Sequence, residues 1–217
     1  MLRLALDRPV GTPLNLLCLG AHADDIEIGA GGTILTLLQR HPGSTVRWVV
    51  FSANGARAEE AQASAREFLA GAGPSRVDTL DARDGFFPAE FLKLKEQFEA
   101  LKREVEPDLI LTHTRHDGHQ DHRALAGLTW NTWRDHLILG YEIPKYDPDT
   151  GNPNVLVPLA PEVAEQKVAA LMRHFATQRS RRWFVPETFH ALMRLRGLQA
   201  AAPMGLAEAF FGPKLWL

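Results

Sequence analysis

The chain has one cysteine, Cys18, and that scarcity excludes a good deal. A single thiol builds neither an intrachain disulfide framework nor a cysteine zinc knuckle. Cys18 lies in the apolar run Leu14–Leu19, where a thiol behaves as a small hydrophobe. Long hydrophobic runs are missing as well: no stretch reaches the ~18 apolar residues of a membrane span. Asp7, Arg8 and Pro9 interrupt the weakly apolar N-terminus, so it carries no signal-peptide pattern and a cytoplasmic protein is expected. An excess of one charge is also lacking. With 24 basic and 26 acidic residues the formal net charge is −2, which gives no electrostatic case for a nucleic-acid partner. The basic cluster Arg179-Ser180-Arg181-Arg182 reads as a solvated helix end or a local anion contact. Apolar and charged fractions of 45% and 23% are those of an ordinary globular protein, and 217 residues are expected to form one domain, 1–217.

What the chain does have is histidine and aspartate concentrated in two places. Gly20-Ala21-His22-Ala23-Asp24-Asp25-Ile26-Glu27-Ile28-Gly29 is the first, and His113-Thr114-Arg115-His116-Asp117-Gly118-His119-Gln120-Asp121-His122 is the second. Between them they hold five of the nine histidines. Three such groups can close on a divalent metal and leave positions for water and substrate, which is how a catalytic zinc site differs from a structural one.

The surrounding pattern says how two segments so far apart could meet. Short apolar runs at 14–19, 46–51, 77–80 and 109–112 read as strands, and the stretches 28–39, 56–70, 90–104 and 121–135 between and after them read as helices. Strands alternating with helices predict an α/β fold, a Rossmann-like three-layer sandwich with a mostly parallel sheet. Beyond it, 137–143 and 155–157 read as strands, 144–153 as a loop, and 161–178 and 187–196 as helices. Ligands in such sheets bind outside the carboxyl ends of the strands. The two His/Asp segments directly follow the first and fourth strands, so both are expected at that end.

Each feature also has a plainer reading. His41, His136 and His190 are isolated and read as ordinary core or surface residues. Paired aspartates after a strand often only cap the next helix, but capping does not explain His22 beside them. His119 and His122 are three apart and share a face if the helix there begins early. The glycines at 29, 31 and 32 suggest a dinucleotide turn, yet they lack the final glycine of G-x-G-x-x-G and come after the acidic cluster. Carboxylates at that turn would repel a pyrophosphate.

Ala21-His22-Ala23-Asp24-Asp25-Ile26-Glu27-Ile28-Gly29-Ala30-Gly31-Gly32-Thr33 resembles the A-H-P-D-D-x-E-x-G-x-G-G-T signature of the LmbE-like, or PIG-L, zinc-dependent de-N-acetylases. His119-Gln120-Asp121-His122 resembles that family's H-P-D-H motif. Fainter echoes are Arg57-Ala58-Glu59-Glu60-Ala61, Asp84-Gly85, the stretch from Lys167 to Gln178, and Ala207-Glu208-Ala209-Phe210. Two of the family's prolines are Ala23 and Gln120 here, a change that removes no functional atom.

The resemblance implies roles. His22, Asp25 and His122 would bind zinc, Asp24 would be the general base, and His119 would stabilise the tetrahedral oxyanion. Asp121 would orient His119, and Arg57 and Asp84 would contact the substrate, a small-molecule amino sugar or its conjugate. Two histidines and a carboxylate also accept iron(II) or cobalt. Two other readings compete: a different metal hydrolase such as a phosphoesterase, and a non-catalytic sugar-binding protein, which would have no need of Asp24. Relatives in the resembled family form trimers or hexamers, which implies a homo-oligomer. Trp130, Trp133 and the apolar end from Ala209 to Leu217 are candidates for its interface, or else complete the core. The 144–153 loop is expected to shape substrate choice.

Overall fold

The computed structural model describes residues 6 and 8–215. Along the chain run β1 (Asn15–His22), α1 (Asp25–Arg40), β2 (Thr45–Ser52), α2 (Ala56–Phe68), β3 (Arg76–Thr79), α3 (Phe91–Glu104) and β4 (Leu109–His113). They continue as α4 (Gln120–Thr132), β5 (Ile138–Tyr141), β6 (Val155–Pro158), α5 (Pro161–His174), a 3-10 turn (Ala176–Gln178), α6 (Pro186–Gln199) and β7 (Ala207–Phe211). The strands form one sheet in the order β3-β2-β1-β4-β5-β7-β6. The first five pair in parallel, and β7 runs antiparallel to β5 and β6.

Why the strand runs look continuously apolar is plain from β1. Leu16 and Cys18 pack into one core with Ile26, Ile34, Trp48 and Phe68, whereas Leu17, Leu19 and Ala21 pack into the other with Phe51, Phe98 and Trp133. Successive side chains alternate faces, and helices cover both, so neither set can be polar. The chain is therefore the expected three-layer α/β sandwich. Its strand order reverses between β1 and β4, which opens a crevice at their carboxyl ends.

The glycines of α1 serve packing. A Cβ on Gly29 would come 2.2 Å from Cδ2 of Tyr141, whose hydroxyl donates to the Leu19 carbonyl at 2.6 Å. The helix lies against that ring only because residue 29 has no side chain. One turn on, a buried ion pair meets α1: Lys167 Nζ is 2.6 Å from both Glu208 Oε1 and the Ile28 carbonyl oxygen. The Gly32 and Thr33 amides donate to the same Glu208 carboxylate, at 2.8 and 2.7 Å.

The structure departs from the sequence reading in several places: the helix expected over 121–135 ends at Thr132, and the strand expected over 137–143 covers only Ile138–Tyr141. Helix α1 starts at Asp25, three residues before the expected Ile28, so Asp25 and Glu27 fall in its first turn. The helix expected over 161–178 ends at His174, followed by the 3-10 turn. Ala207–Phe211 is a strand wedged between β5 and β6 rather than a free apolar tail. Trp133 and Phe210 are buried in this chain's own core and Trp130 is half-buried against it. Trp133 and Phe210 thus complete the core; Trp216 and Leu217 lie outside the described residues.

Candidate active site

β1 ends on His22, and the chain turns through Ala23 and Asp24 into α1. Asp24 takes φ 100° and ψ −22°, a left-handed conformation that a residue with a side chain adopts only under strain. That turn lets Asp24 and Asp25 diverge: Asp25 accepts from the His22 amide at 2.7 Å, while Asp24 Oδ1 faces Arg57 at 3.3 Å. From the other side β4 ends on His113, and His119 forms the N-cap of α4 with His122 in its first turn.

The two segments meet. His22 Nδ1 lies 3.2 Å from His122 Nε2 and 3.4 Å from Asp25 Oδ2, and His122 Nε2 lies 3.5 Å from Asp25 Oδ2. Donors held about 2.1 Å from a common tetrahedral centre stand about 3.4 Å apart, so these three fit a single zinc-sized ion. Three further groupings overlap this triad: His22 with His119 and His122, Asp25 with His113 and His122, and His22 with Asp84, His119 and Asp121. Burial and neighbouring His113 push His122 down to about 4, against Asp25 and Asp117, so it is a neutral imidazole ready to ligate. Burial also pushes His22 down, but its contacts with Asp121, Asp25 and Asp84 outweigh that and hold it well above the usual histidine range, so a metal binding there displaces a proton. Burial opposes ionisation of Asp25, but His122 and His113 outweigh it and hold its carboxyl well below the usual range.

Asp24 is buried, and burial raises its pKa to about 7, against the pull of Arg57 and with a further push from Asp25. Its Oδ2 has no hydrogen-bond partner. His119 Nδ1 accepts from the Asp121 amide at 3.2 Å, so in the neutral ring Nε2 carries the proton and is a donor. Arg57 also donates to the Ala23 carbonyl and to Thr177 Oγ1, which fixes it against Asp24. Asp84 is 76% exposed, with Oδ1 3.1 Å from His22 Nε2 at the mouth of the site.

Asp121 is not where the sequence reading put it. Its carboxylate does not orient His119; Oδ2 lies 3.2 Å from His22 Nε2 and accepts the Gly85 amide at 2.6 Å, and Oδ1 accepts the Phe87 amide at 3.1 Å. Only its backbone amide reaches His119. As the second residue of α4 its side chain points back across the sheet crevice to the 85–87 loop, so it supports His22.

Three contributors had no role assigned from sequence. Asp117 Oδ2 lies 3.0 Å from His122 Nδ1 and Oδ1 accepts the His119 amide at 2.7 Å, so one carboxylate sets both histidines. Lys145 Nζ reaches the same Oδ1 at 3.0 Å from the 144–153 loop. His113 is fully buried, stacks on His122 with centroids 3.9 Å apart, and accepts the Ala21 amide at 3.0 Å. Asp117 and His113 stood inside the His/Asp-rich segment, but nothing in its spacing says which groups face the centre and which support them. Lys145 carried no signal at all.

A family profile described as PIG-L, GlcNAc-PI de-N-acetylase, matches residues 17–133, more than half of the chain. No curated protein matches by sequence. Among solved structures, a conserved protein from Thermus thermophilus is 23% identical with a TM-score of 0.70, over 94% of this chain and 97% of that one. The 4-carboxy-2-hydroxymuconate hydratase from Pseudomonas putida KT2440 is 20% identical, TM-score 0.75, over 94% and 98%. An N,N'-diacetylchitobiose deacetylase from Pyrococcus horikoshii is 21% identical, TM-score 0.71, over 95% and 86%. At these identities the likeness is one of fold.

Proposed function

The chain belongs to the PIG-L family of GlcNAc-PI de-N-acetylases, and from that premise we propose that it hydrolyses the N-acetyl group of an amino sugar or its conjugate, with a divalent metal held by His22, Asp25 and His122. The observation that carries this reading is the 3.2–3.5 Å triangle of those three donors with Asp24 and His119 beside it. Such a metal supplies Lewis acidity, which acidifies water and polarises a carbonyl. Zinc is the first choice, with iron(II) and cobalt acceptable to the same ligands.

The remaining work falls to the protein. Asp24, with an unpartnered oxygen, takes the proton of the attacking water as oxygen bonds to the acetyl carbon. His119 donates from Nε2 to the carbonyl oxygen as it becomes anionic. The C–N bond then breaks, the amine takes up the proton, and acetate leaves. Asp121 and Asp117 hold His22 and His122 in orientation through the ring nitrogens that face away from the centre. Asp84, exposed at the mouth, and Arg57 are the groups we assign to the sugar hydroxyls.

The hydratase among the structural neighbours is a reminder that this fold hosts more than one chemistry, so the reading rests on family and site. A pure binding module has no use for a buried, strained Asp24. Acetate release from a panel of N-acetylated sugars, with zinc-loaded and chelated protein, is the test. Release that needs metal supports the reading; no release, or phosphate release from phosphorylated sugars in its place, refutes it.

A further inference from the structure

Among the described residues three Phe, Tyr or Trp rings are exposed, Phe86, Phe91 and Tyr146, and all three belong to the two segments that frame the site. Phe86, 43% exposed, follows Asp84 by two residues and sits between Gly85 and Phe87, whose amides are both held by Asp121. The Arg83 guanidinium lies 3.6 Å from its ring centroid, which steadies the ring from one side. Phe91 opens α3 and is joined to the same turn through the Glu90 amide, which donates to the Phe86 and Phe87 carbonyls. Tyr146, 70% exposed, stands in the 144–153 loop. That loop is tied to the second motif by Lys145 on Asp117 and by Asp149, which accepts the amide of Gly118, the residue before His119. One segment therefore reaches the centre at His22, the other at His119.

A single exposed apolar residue needs no explanation. That all of the exposed Phe, Tyr and Trp rings fall on two anchored segments, with every other described Phe, Tyr and Trp buried or half-buried, does need one. Rings kept out of the core contribute little to it, and on segments that flank a reaction centre their free faces are available to a ligand.

We propose that Phe86 and Tyr146 form aromatic walls for the group attached to the amino sugar, and that this group is aryl or similarly flat and apolar. The inference builds on the deacetylase reading but concerns a different part of the substrate. Asp84 and Arg57 supply the polar partners that the sugar itself needs. A second sugar ring at the outer position would find few partners for its hydroxyls in these walls, since Phe86 has no polar side-chain atom and Tyr146 has one, its hydroxyl. A flat apolar group loses nothing there and is removed from water against both rings.

The test compares methyl and phenyl N-acetyl-β-glucosaminides, and an N-acetylglucosamine disaccharide, in zinc-loaded wild type, Phe86→Ala, Tyr146→Ala and Phe86→Trp. Acetate release gives kcat and KM, and calorimetry gives the binding of the corresponding deacetylated glycosides, which needs no turnover. Both rings are exposed, so the alanine variants keep the fold. Wild type should favour phenyl over methyl by about tenfold, as burying one aryl face predicts, with the difference in KM and in binding rather than in kcat. Each alanine variant should bring the ratio toward one, and Phe86→Trp should keep it. A wild-type ratio near one, a ratio untouched in both alanine variants, or a preference for the disaccharide over phenyl overturns the proposal. If no substrate releases acetate while the phenyl preference in binding persists and falls in the alanine variants, the deacetylase reading fails and the aromatic subsite stands.

Discussion

Replacing Lys167 with Met tests how the helix that starts at Asp25 is held. Lys167 and Glu208 are 2% and 4% exposed, so neither charge is relieved by solvent. Removing the ammonium leaves the Glu208 carboxylate buried with only the Gly32 and Thr33 amides, at 2.8 and 2.7 Å. Breaking a buried pair from one side costs about 3–5 kcal/mol, against a total of roughly 5–15 kcal/mol for a domain. In urea that moves the midpoint down by about 1–2 M. The double variant Lys167→Met/Glu208→Leu should behave differently. The Ile28 carbonyl and the Gly32 amide, which the ion pair engages, are ordinary i→i−4 partners within a helix. With both charges gone they can bond to each other, and apolar side chains fill the space. We expect the double variant within about 1 kcal/mol of wild type, and therefore a large favourable coupling in the cycle. Urea unfolding followed by circular dichroism on all four proteins measures it. A double variant as unstable as the worse single one would refute the argument and show that the pair does more than answer itself.

Asp24→Asn should keep bound metal and lose about 10²–10⁴-fold in turnover, whereas Asp25→Asn should lose the metal on dialysis; equal metal loss in both would cancel the division of roles. Asp117→Asn should weaken zinc affinity by about 10–100-fold through His122, read by competition with a chelating dye; unchanged affinity would make that contact incidental. Gly29→Ala drives a methyl to 2.2 Å from the Tyr141 ring, and the overpacking cost of about 1–3 kcal/mol should outweigh the ~1 kcal/mol gained in helix propensity. A Gly29→Ala protein with a higher melting temperature would show that the ring yields.

What the sequence alone determined was the alternation of strands and helices, the buried sheet, and the identity of the two segments that meet. Those are local properties: short continuous apolar runs, helical periodicity, and a cluster of donors too dense to be incidental. The placement of both segments at strand ends followed from the parallel topology. Even the order of His22, Asp24, Asp25, His119 and His122 in two motifs was readable.

The roles of the supporting groups belonged to the tertiary structure. Asp121 was expected beside His119 and stands instead behind His22, because the direction of a side chain at a helix start depends on what lies across the crevice. Asp117 and His113 are as close in sequence to the expected ligands as any other residue, yet only the packed ring of His113 and the reach of Lys145 from a distant loop give them places. β7 escaped notice for a related reason. Its second residue, Glu208, breaks the apolar pattern, and that glutamate is tolerated in the core because Lys167, 41 residues earlier, meets it there. Contacts between residues far apart in the chain leave no periodicity behind; they exist only once the sheet has brought the partners together.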